Sequence, residues 1–86
     1  MHSATLLAEA AELARQLQYT VREEYLDGAG GGHCYFGGRK WLLLDVTQSV
    51  DEQLSVITDA LRTDDAVWRL PVSPQLAGIL RVSHAA

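Results

Sequence analysis

One stretch limits the folds open to this chain more than any other. It runs from Gly28 to Val46 and reads as a glycine loop, a short strand, a Gly37-Gly38 turn and an apolar strand. Two adjoining glycines between aromatic and aliphatic residues signal a hairpin, because hairpin turns need the positive φ that glycine adopts without strain. Strands are expected at 33–36 and 40–46, preceded by a flexible loop from Asp27 to Gly32. Side chains alternate along a strand, which puts Cys34, Phe36, Trp41, Leu43 and Asp45 on one face and His33, Tyr35, Leu42, Leu44 and Val46 on the other. A two-residue loop at Gly37-Gly38 sets Cys34 opposite Trp41, and a four-residue loop sets Phe36 there; both give this grouping. The second strand is apolar on both sides, a pattern typical of strands buried on both sides. Helices must cover both faces, or one face must meet a second subunit.

The rest of the chain reads as cover for this hairpin. Leu6, Leu7, Ala10, Leu13, Ala14 and Leu17 form one apolar stripe, predicting a helix over 4–18 with Ser3 as its N-cap. Residues 19–26 read as a first strand, and Arg22, Glu23 and Glu24 mark it as an edge, where charge discourages stray pairing. Ser49 followed by Glu52 is a capping box, and Val50, Leu54, Ile57 and Leu61 carry the helix across 50–62. Asp51 and Glu52 at its start and Arg62 at its end complement the helix dipole. Pro71 argues against a central strand, so 66–72 reads as an extended or loosely turned segment whose Trp68 and Leu70 fold back on the core. Ser73-Pro74 opens a short helix over 74–80. The tail, 83–86, is expected to fray.

These elements predict a single two-layer α+β domain over 1–86. A three-stranded, mainly antiparallel meander packs against two main helices, and the short C-terminal helix closes one end.

Composition narrows the function. A hydrophobic fraction of 48% is high for 86 residues, because a chain this short buries only about 60–65% of its surface. Either the core is unusually rich for its volume, or some apolar surface is kept for a partner. The net charge of −4 argues against nucleic acid or an anionic membrane, both of which require a basic surface. The longest uninterrupted apolar run, Trp41–Leu44, is far below the ~20 residues that span a bilayer. Met1 to Thr5 has no basic region, so no secretory leader is expected. A single cysteine allows no internal disulfide and suits a reducing, cytoplasmic setting.

No complete catalytic motif is present. Gly28-Ala29-Gly30-Gly31-Gly32-His33 begins like a dinucleotide loop, but it opens a strand instead of a helix and ends on histidine, and no Gly-Lys-Ser/Thr follows. His33 and Cys34 are candidates for a metal site or for a nucleophile with its base. As neighbours on a strand they point to opposite faces, and the spacings that make a zinc site are missing. His2 and His84 sit near the chain ends. Asp45, at the end of an apolar strand, is the most pointed carboxylate, either an acid or a structural hydrogen-bond acceptor. No cofactor is expected.

The order of helix, strand, glycine loop, Cys34-containing strand, Gly38-Arg39-Lys40, Leu42-Leu43-Leu44-Asp45, Glu52-Gln53-Leu54 and Ala60-Leu61-Arg62 resembles small uncharacterised bacterial proteins. It also resembles the strand-strand-helix portion of zincin-like peptidase domains. In those domains the helix after the hairpin carries His-Glu-x-x-His and holds zinc. The corresponding stretch here, Glu52-Gln53-Leu54-Ser55-Val56, has no histidine, so the resemblance implies the scaffold without the zinc. The leading expectation is a non-catalytic protein–protein interaction domain, most simply a homodimer, with Tyr35, Leu42 and Leu44 at its interface. The alternative is a small-molecule or metal-binding enzyme, a degenerate zincin-like hydrolase, using His33, Cys34 and Asp45.

Overall fold

The computed structural model describes residues 2–82, so the 83–86 tail and His84 lie outside the described residues. The chain is α+β: α1 (Ser3–Gln16), β1 (Tyr19–Glu24), β2 (Gly32–Phe36), β3 (Arg39–Asp45), α2 (Val50–Arg62), a 3-10 turn (Asp65–Arg69) and α3 (Pro74–Val82).

The sheet is not a meander. Its order is β1-β3-β2, with β1 parallel to β3 and β2 antiparallel to it. The hairpin forms as its glycines dictate: Gly37 and Gly38 take φ of 61° and 77°, and the two-residue register sets Cys34 opposite Trp41. The departure lies in β1, which pairs with β3 along its whole length, from Tyr19↔Lys40 to Glu24↔Asp45. The most apolar strand thereby gains a neighbour on each side, and charged β1 takes an edge. To reach the opposite edge, the chain between β1 and β2 crosses the C-terminal end of β3.

Helices α1 and α2 pack against each other and on one face of the sheet, and α3 packs against both. Leu42, Leu44 and Tyr19 point into this layer and are buried among Leu6, Leu13, Leu54, Ile57 and Leu61. The α1 stripe is buried as its spacing predicts, but Ser3 is not its cap. The helix starts at Ser3, with the extended His2 at the N-cap position offering only its carbonyl, to Thr5 and Leu6. The α2 capping box is present: Glu52 N–H donates to Ser49 Oγ at 3.1 Å and Ser49 N–H to Glu52 Oε1 at 3.0 Å.

The segment after α2 is helical where an extended stretch is expected. Asp64 Oδ1 accepts from Ala66 N–H at 3.0 Å and winds 65–69 into a 3-10 turn. In such a turn successive side chains point well apart. Val67 therefore points inward and is fully buried, while Trp68 turns outward under the Arg81 guanidinium, 5.8 Å from its ring centre. Leu70 does pack on the core. Ser73 caps α3 through Leu76 N–H at 3.3 Å. The other end of α3 is held by Arg62, which donates to the carbonyls of Leu80 (3.2 Å) and Ile79 (2.9 Å). Among the described residues no helix is long and apolar enough to cross a membrane.

Candidate functional site

Among the described residues the helices pack on one side of the sheet. The other face carries Cys34 and Phe36 from β2, Trp41 and Leu43 from β3, and Arg22 and Glu24 from β1. Together they line a shallow groove of about 420 Å³. Register puts these side chains on one face, because Cys34 pairs with Trp41 and Arg22 with Leu43. Phe36 is 75% exposed, Cys34 is exposed, and Trp41 and Leu43 are half-buried. The Trp41 indole is steadied by its Nε1–H, which donates to the Phe36 carbonyl at 3.2 Å. On the β1 side Arg22 donates to Glu24 at 2.9 Å. The floor of the groove is apolar, and charge is confined to the β1 edge.

The interface residues expected from sequence separate. Leu42 and Leu44 lie beneath the helices, 0% and 3% exposed, and no partner reaches them in this fold. Tyr35 is 73% exposed, but it stands on the helix side of β2, at its outer margin. The exposed apolar surface of the sheet is thus the Cys34, Phe36, Trp41 and Leu43 face. Sequence alternation had already grouped these residues; it could not show which group the helices would cover.

The chemical candidates do not converge. His33 and Cys34 point to opposite faces of β2, and Asp45 sits at the far end of β3. No cluster of three or more His, Cys, Asp or Glu side chains suited to a metal occurs among the described residues.

Asp45 is fully buried and accepts five hydrogen bonds. Leu26 N–H (3.2 Å), Thr47 N–H (2.9 Å) and Thr47 Oγ1 (2.7 Å) reach one oxygen. Gly28 N–H and Gly30 N–H reach the other, each at 3.0 Å. Burial works against its charge. The Thr47 hydroxyl and amide and the Gly30 and Leu26 amides outweigh it and lower its pKa from 3.8 to about 2. A carboxylate so saturated with donors stays ionised and exchanges no proton near neutrality.

Asp45 instead fixes the crossing loop, which is therefore not a loose connector. The glycine amides that suggest an anion site do bind an anion, namely the carboxylate of their own chain. At Gly31 the loop presses on β3, where a Cβ would lie 1.8 Å from the Leu43 carbonyl oxygen. The available sequence signal was an Asp-x-Thr step ending an apolar strand, beside a loop rich in free amides.

No family model, characterised protein or solved structure matches this chain.

Proposed function

We propose that this protein is a non-catalytic interaction domain that works as a homodimer in a reducing, cytoplasmic setting. The observation that carries this reading is the half-covered sheet. Helices α1 and α2 shelter one face, while the other offers Phe36, Trp41, Leu43 and Cys34 to whatever approaches. Contiguous exposed apolar surface on a small domain marks contact with another macromolecule. The dispersal of His33, Cys34 and Asp45, and the structural use of Asp45, lend no support to a hydrolase built on those three.

Native mass spectrometry of protein purified without a metal-affinity step tests the proposal. A dimer without bound mass is the expected result. A monomer carrying a stoichiometric metal or small molecule overturns it.

A further inference from the structure

Among the described residues the sheet has two free edges, and they are built differently. β1 carries Arg22, Glu23 and Glu24 along its length, and charges of this kind keep an edge from pairing. β2 reads Gly-His-Cys-Tyr-Phe, with no Asp, Glu, Lys, Arg or proline, and its side chains from His33 to Phe36 are all exposed. An uncharged, uncovered edge strand is a template for another strand.

The register of the hairpin identifies which backbone groups are on offer. The two-residue turn makes Phe36 and Arg39 the hydrogen-bonded pair beside it. By antiparallel alternation Cys34 and Gly32 also bond inward to β3, while the N–H and C=O of His33 and Tyr35 point outward.

We propose that the occupant of this edge is a second copy of the chain, paired antiparallel through β2 about a twofold axis at Cys34. This rests on the homodimer reading above but joins the subunits through the sheet edge, so their apolar faces lie side by side and are not buried by the contact. The strand is self-complementary in this register. His33 bonds to Tyr35 of the second copy and Tyr35 to its His33, so all four outward groups of each strand find partners. Cys34 meets Cys34 in the non-hydrogen-bonded position between them, with Cα atoms about 4.5 Å apart. Gly32 lies opposite Phe36 of the second copy on the open face, and an aromatic ring packed over a cross-strand glycine is a known support for such edges. Any other centre pairs fewer of the five residues. An axis perpendicular to the sheet keeps both helix layers on one side and joins the two open faces. The product is a continuous six-stranded sheet, β1-β3-β2-β2-β3-β1, with a doubled apolar face.

The test is analytical ultracentrifugation of the wild type and three variants, with circular dichroism to check folding. His33→Glu with Tyr35→Glu places like charges opposite each other across the axis, and the new carboxylate at position 35 remains beside Lys40 of its own hairpin. His33→Lys with Tyr35→Glu places opposite charges there. The expected result is a wild-type dimer, its dissociation constant raised about tenfold or more by the like-charged pair and recovered with the opposite-charged pair. Diamide, which takes up the two thiol hydrogens, should join the wild-type dimer through one Cys34–Cys34 disulfide, because the Cα separation lies within the range such bonds accept. A dimer indifferent to both charge variants but dissociated by Leu43→Glu overturns the edge geometry and leaves the homodimer reading standing. A wild-type monomer overturns both.

Discussion

The carboxylate of Glu9 accepts from both the backbone N–H of Ser73, at 2.8 Å, and its hydroxyl, at 2.6 Å. Glu9 belongs to α1, and Ser73 is the residue that caps α3, so the first helix orients the cap of the last. Replacing Glu9 with alanine leaves the Ser73 amide without its partner and frees the hydroxyl to turn away from Leu76. The expected loss is about 1–2 kcal/mol of unfolding free energy, measured by urea denaturation. Ser73→Ala should cost about 1 kcal/mol. The double variant should cost less than the sum, because both changes remove the same contacts.

Asp45 makes stability depend on acidity in a defined window. Its pKa falls from 3.8 to about 2 on folding, so the folded state favours the charged form. That contribution is complete above pH 3.8 and is lost as pH falls toward 2. Asp64 shifts in the same direction, its charge favoured by the Ala66 amide and by Lys40 against the opposing effect of burial. The melting temperature should therefore drop steeply between about pH 4 and 2. Asp45→Asn should melt lower than the wild type at neutral pH, since an amide nitrogen cannot accept from the loop donors, and its acid-side slope should be shallower. Thermal melts across that range, followed by circular dichroism, check both.

Two neighbouring glycines should behave in opposite ways. Gly31→Ala drives a methyl group into the Leu43 carbonyl, with no flexible side chain there to yield. It should cost about 2–3 kcal/mol or more. Around Gly32 nothing lies within 4 Å of an added Cβ, and Gly32→Ala should change stability by no more than about 0.5 kcal/mol. Chemical denaturation of both variants measures the contrast.

Gln18 turns the chain out of α1 with a φ of 75°, a left-handed conformation that costs a residue bearing a Cβ. Gln18→Gly should raise stability by about 0.5–1 kcal/mol, since glycine takes this position after a helix without strain. A higher urea midpoint with an unchanged slope is the expected readout.

The local features of this fold were legible in the sequence and the long-range ones were not. The Ser49–Glu52 box, the Gly37-Gly38 turn and the α1 stripe are written in residues a few positions apart, and each appears where its spacing puts it. The place of β1 could not be read this way. Antiparallel pairing with β2 and parallel pairing with β3 present the same alternation, and the choice depends on a loop held by a carboxylate far along the chain. Trp68 shows a second limit: its size suggests burial, but Asp64 winds the backbone so that the smaller Val67 takes the interior position. At the open face alternation identified the two sets of side chains. Which set is covered depends on helix connections that leave no local mark.

The crossing loop also sets an order in which the chain can fold. The β2–β3 hairpin closes through a two-residue turn and can form within microseconds, from contacts between near neighbours. β1 precedes it in the chain but can dock on β3 only after β3 exists and the loop has wrapped around the Asp45 end. Its pairing therefore spans a larger chain separation and comes later. Protonating Asp45 loosens that wrap without touching the turn. In hydrogen exchange as pH falls toward 2, β1 amides should lose protection before those of the hairpin, so the first strand synthesised is the last to arrive and the first to leave.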